Sequence, residues 1–144
     1  MSLFKDTMTV YNHIKDVDTG KETWQRTIVK GIQWRHNKTE TTVSNGVQTE
    51  KKVESITIDF QRTRRAKQYV DFLTFEKLED KTNYWTLNSR DGLDVLVCGV
   101  SANKITDTYR LSDLKRDFQY CVTVKAVSDN RNAEHLKNIK VVAE

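Results

Sequence analysis

The stretch ETWQRTIVKGIQWR, residues 22–35, decides the fold. Trp24, Ile28, Ile32 and Trp34 all fall on even positions, the period of two that places side chains on one face of a strand. Gly31 sits in the middle of this strand and predicts a bulge or sharp bend, the device by which a long strand wraps around a small barrel. Upstream, residues 7–14 alternate in the same way, with Met8, Val10 and Ile14 on the inner face and Thr9, Tyr11 and His13 on the outer. The segment 16–21 between the two strands is a turn. Downstream comes a polar stretch, residues 36–52, that contains Asn45-Gly46. That dipeptide between extended segments is a strong hairpin signal. Its flanks carry few apolar residues, so the hairpin is expected to project from the body. Residues 53–60 return as a strand that buries Ile56, Ile58 and Phe60.

Beyond residue 60 the pattern stays short and β-rich. One or two helical turns are expected after Thr74. Residues 85–87 and 93–98 read as strands joined by a loop at 88–92, with Asp91 and Asp94 solvated. Ser112 is placed as the cap of a short helix over 113–118. Residues 120–127 and 139–143 read as strands. The chain has no proline and isolated glycines. Six to eight short strands with evenly spaced turns predict an all-β protein, a small antiparallel barrel or sandwich with one or two short helices. Its 144 residues suit one domain, 1–144.

Composition narrows the function. The apolar fraction of 37% is below the roughly 45–50% of typical globular chains, which suggests a thin core and a large wetted surface. No apolar run is long enough to span a bilayer and no signal peptide is visible, so the expected place is the cytoplasm, with no membrane contact. Cys98 and Cys121 read as reduced thiols. Catalysis needs a nucleophile, an acid–base group and a stabiliser brought together, and the sequence shows no such set. His13, His36 and His135 are scattered and read as surface groups. Asp16 to Gly20 lacks the closing glutamate of a calcium loop. The expectation is no enzyme, no cofactor and no metal.

Two features stand out as contact sites. The net charge of +4 is concentrated: residues 1–72 hold 13 basic and 9 acidic side chains, residues 73–144 hold 11 of each. Arg62, Arg64, Arg65 and Lys67 carry the excess, followed by Tyr69 and Phe72. Basic residues interleaved with aromatics suit single-stranded nucleic acid; the plainer reading is a solvated loop whose arginines pair with acids such as Glu76, Glu79 and Asp80, and a third is a charged contact to a neighbouring subunit. The second feature is the hairpin, with Val43, Asn45, Gly46 and Val47 at its tip, as an assembly element. Trp24, Trp34 and Trp85, with the tyrosines, divide between core and interface in a way the sequence leaves open.

Several blocks occur in a recognisable order: TVYN at 9–12, WQRTIVKGIQW at 24–34, DVLVCG at 94–99, VSDNR at 127–131 and IKVV at 139–142. This order resembles a family of small proteins from phage and prophage structural gene clusters of Gram-positive bacteria. The resemblance implies a minor structural or assembly component of the head–tail region, made in the host cytoplasm and carried in the virion. Its partners would be other phage structural proteins and copies of itself. The alternative from the residues alone is a nucleic-acid-binding β-barrel that uses residues 62–67.

Overall fold

A computed structural model describes residues 5–16, 18–60, 64–65, 67–90, 93–131 and 138–144, with 37–42, 49–52 and 64–65 described as backbone. In chain order the elements are β1 (Asp6–Lys15), β2 (Glu22–Ser44), β3 (Val47–Ile58), β4 (Arg64–Arg65), β5 (Gln68–Tyr69), α1 (Phe72–Lys77), β6 (Tyr84–Trp85), β7 (Val95–Cys98), α2 (Leu111–Asp117), β8 (Cys121–Asp129) and β9 (Ile139–Ala143). Strands β1, β7, β8, β9, β3 and β2 pair in that order, and β2 pairs back onto β1. Every pairing in this ring is antiparallel. The chain is a closed six-strand barrel with two short helices, as expected for the class.

Closure depends on β2, which pairs with β1 through its first half and with β3 through its second. The change of partner coincides with Gly31. Asp6 lies opposite Ile32 and Thr7 opposite Lys30, so Gly31 is an extra residue, and its φ of +78° is one that L side chains adopt only with strain. An inserted residue also swaps the faces. Val29 is buried in the barrel before the bulge, and Ile32 and Trp34 after it. Trp24 packs outside, against a second cluster. The expectation that Trp24, Ile28, Ile32 and Trp34 share one face is therefore corrected.

The barrel interior holds Met8, Val10, Val29, Ile32, Ile56, Ile58, Leu96 and Val141, all fully buried. The outer face of β1 and β7 is covered as well: Tyr11, Val95 and Val97 pack with Leu114 of α2. Thr9 and Tyr11, expected outside, are consequently buried. Their hydroxyls are satisfied, Thr9 Oγ1 donating to Gly99 O at 2.9 Å and Tyr11 Oη lying 2.7 Å from Ser101 Oγ.

Three local expectations also change. α1 begins at Phe72 because Asp71 caps it, accepting from Thr74 N at 3.1 Å. In α2, Asp113 accepts from Arg110 N at 2.9 Å, so the helix starts at Leu111 and Ser112 lies within its first turn. The strand at 85–87 does not pair with 93–98; β6 instead pairs parallel with β5 in a separate two-strand sheet.

Candidate functional site

The most prominent surface feature is the outer part of β2 and β3. Ser44 faces Val47, Val43 faces Gln48, and the ladder continues to Lys38 opposite Val53. Asn45 and Gly46 make the turn with φ of +52° and +78°, two successive left-handed residues that match a type I′ hairpin turn. β3 pairs with β9 only from Glu54 onward. From Lys38 to Ser44 and from Val47 to Val53 the two strands pair with each other alone among the described residues. At about 3.4 Å per residue the seven-residue arms extend roughly 24 Å past the barrel. Val43 and Val47 at the tip are 69% and 63% exposed.

The base of the hairpin is anchored. Trp34 and Val53 are buried. His36 Nδ1 lies 3.0 Å from Glu54 Oε1, and its ring packs on Tyr120 with centroids 4.0 Å apart. His36 is therefore part of the barrel mouth. His135 lies outside the described residues.

Of the basic segment, Arg64 and Arg65 are described as backbone and Lys67 in full. Arg62 lies outside the described residues. Arg64 and Arg65 form β4, opposite Lys30 and Val29 on β2. Lys67 is drawn into the fold, its ammonium donating to Arg26 O at 2.7 Å and Thr27 Oγ1 at 3.1 Å. Burial, and then the nearby Arg26 cation, lower its pKa.

A second site lies at the opposite end of the barrel, beside Asp94. This residue was expected in a solvated loop; it is 1% exposed. Asp94 Oδ2 accepts from Asn12 Nδ2 and Asn88 N, both at 2.9 Å, and Oδ1 accepts from His13 N at 2.9 Å. Asn12 also bonds both backbone groups of Thr86, donating to its carbonyl at 2.6 Å and accepting its N–H at 3.2 Å. A side-chain amide thus supplies the ladder contact that residues 86–88 lack. Desolvation outweighs these donors and pushes the Asp94 pKa up to about 6. Asp94 is among the residues that line a cleft of about 500 Å³ flanked by α1 and β1. His13, expected on an exposed face, is half-buried beside it, edge-on to Trp24 at 5.0 Å and with Nε2 3.6 Å from Glu22 Oε1. Sequence reasoning missed this site, although a signal existed: Asn12 sits mid-strand, and Asp94 directly precedes the apolar run Val95 to Val97.

Cys98 and Cys121 are free thiols, and burial raises both, Cys121 to about 11. No group of three or more metal-ligating side chains occurs among the described residues. No helix among them is long and apolar enough to cross a membrane.

No curated protein and no solved structure matches the chain. A family model described as "Family of unknown function (DUF6751)" matches residues 3–144, nearly the full length and so both the hairpin and the Asp94 cleft. The chain belongs to that family.

Proposed function

We propose that the protein is a non-enzymatic structural or assembly component that docks onto neighbouring subunits through the β2–β3 hairpin. Its setting would be the head–tail region of a phage or prophage particle, the setting that the resemblance of its sequence blocks implies. One observation carries the docking role: a hairpin whose two edges are unpaired among the described residues, with exposed valines at its tip, extends beyond a barrel that closes without it. An isolated hairpin is marginal in water, and unpaired strand edges recruit a further strand. Core burial gives no reason to keep such an arm; contact with a neighbouring copy or another particle protein does.

Deleting residues 38–51 and rejoining the strands with a short turn tests this reading. The barrel should still fold, while self-association, or incorporation into particles, should fall. In dilute solution protease should cut the intact chain first between residues 36 and 53. An unfolded deletion variant, or unchanged association, refutes the docking role.

The nucleic-acid reading retains one supporting observation, the register that sets Arg64 opposite Lys30. A phosphate backbone is met by such closely spaced basic residues. Titration with short DNA and RNA at increasing salt decides it: micromolar binding at physiological salt favours this reading, its absence the assembly reading.

A further inference from the structure

The bulge at Gly31 has a second effect besides closing the barrel: it gathers cations on one face. Before it, Thr27 and Val29 are buried and Trp24 packs outside the barrel, so Trp24, Arg26, Ile28 and Lys30 point outward. After it, Ile32 and Trp34 turn into the core, so Gln33 and Arg35 point outward. Arg26 and Lys30 differ in parity from Arg35 along the chain, and the inserted residue is what sets all three on the same surface. None of the outward positions from Trp24 to Arg35 is acidic.

Two more cations border this strip. Lys104 lines a cleft of about 520 Å³ together with Trp24 and Arg26, and Lys67 reaches the edge of β2 to donate to Arg26 O at 2.7 Å. Lys30, Arg35 and Lys104 are exposed, while Trp24, Arg26 and Lys67 are half-buried. None of these five cations has an ion pair among the described residues. Elsewhere the chain does pair its arginines, Arg116 with Asp113 and Asp117, and Arg131 with Asp129. Arg26 also depresses the pKa of Lys67, a repulsion that an anion bound beside both would offset.

We propose that the outer face of β2 from Trp24 to Arg35 is a track for single-stranded nucleic acid, with Arg26, Lys30, Arg35, Lys67 and Lys104 meeting its phosphates and a base stacked on Trp24. The track is about 36 Å long at roughly 3.3 Å per residue. A row of unpaired cations along one strand matches a linear chain of negative charges, and an accessible indole beside it gives a base a stacking surface, the combination that single-strand binders use. A duplex keeps its bases stacked on one another and would leave Trp24 without a partner. The ligand class is that of the second reading above, but the track rests on β2 rather than on residues 62–67, and it is independent of the hairpin.

The test is a titration of the full chain with an oligothymidylate of about 15 nucleotides, followed by anisotropy and tryptophan emission at about 50 mM salt and above. The dissociation constant should be about 1–10 µM at the lowest salt. Its log–log salt slope should be about −3.5, from roughly 0.7 per phosphate contact over the five cations. Lys30→Gln combined with Arg35→Gln, both at exposed positions, should weaken binding about tenfold and reduce the slope to about −2. Lys77→Gln combined with Lys115→Gln removes the same charge from the two helices and should change affinity by less than about twofold. Binding should quench tryptophan emission, and Trp24→Phe should remove the quench, because Trp34 and Trp85 are buried. No binding, equal loss in the two lysine-containing pairs, or a duplex of the same length bound as tightly overturns the proposal. An oligoglutamate peptide bound as tightly also overturns it, in favour of an acidic protein partner. Loss of binding in Arg64→Gln with Arg65→Gln, but not in the β2 pair, overturns the track and leaves the reading on residues 62–67 standing.

Discussion

Asp94 offers the sharpest test of the tertiary arrangement, because its ionised form is held in the fold against its own desolvation. Its folded pKa is raised from 3.8 to about 6, so the folded chain binds this proton more tightly than the unfolded chain does. The contribution to stability is therefore absent above about pH 7, grows as the pH falls through 6, and is complete below about 4. From pH 7 to pH 5 a shift of this size adds about 1.3 kcal/mol to the unfolding free energy. Asp94→Asn removes the titration while nearly keeping the volume. Its amide oxygen can still accept from Asn12 and Asn88, but its NH₂ then faces the His13 N–H, a mismatch costing about 1–3 kcal/mol. Relief from burying a charge offsets that cost at pH 7 and no longer does so at pH 5. Urea unfolding of parent and variant at both pH values should show the gap between them widen by about 1.3 kcal/mol on acidification. Repeating the pair in a His13→Gln background removes the imidazole of the residue whose backbone N–H donates to Asp94. A gap that stays constant or narrows would refute the desolvated, donor-facing carboxylate.

Gly31→Ala and Gly46→Ala place a side chain at the same φ of +78° but should act differently. At Gly31 the strain of about 1–2 kcal/mol falls on barrel closure and should lower the melting temperature by about 2–4 °C per kcal/mol. At Gly46 it falls on an arm the barrel does not need, so melting should hardly move while proteolysis near the tip accelerates. Ile56→Ala, at a fully buried position, should cost about 2–5 kcal/mol in denaturant unfolding. Cys121, raised to about 11, should resist iodoacetamide at pH 7.5 until denaturant is added. Rapid labelling of the native chain would contradict its burial. Tyr69, raised from 10.0 to about 12 by desolvation first of all, keeps its stabilising neutral form below pH 10. That contribution should disappear as the pH rises toward 12, visible as alkaline unfolding that Tyr69→Phe delays.

Whatever depends on neighbours along the chain was legible without the structure. Alternation in 7–14, 22–35 and 139–143 specified strands, since side chains two apart share a face regardless of what covers them. Asn45-Gly46 specified the hairpin because the turn needs two left-handed residues. Gly31 announced a bulge for the same kind of reason. The consequence of that bulge was not legible by parity, because an extra residue reverses the face of everything after it; Trp24 and Trp34 therefore bury against different clusters. Tertiary structure alone decided which outer face would be covered. Thr9 and Tyr11 read as exposed until α2 and the chain around Ser101 pack over them. The same holds for the cleft. Asn12, Thr86 and Asp94 lie 74 and 82 residues apart along the chain, and each taken alone is an ordinary polar residue. Barrel closure brings them together, removes water from around the carboxylate, and turns three unconnected residues into one buried network.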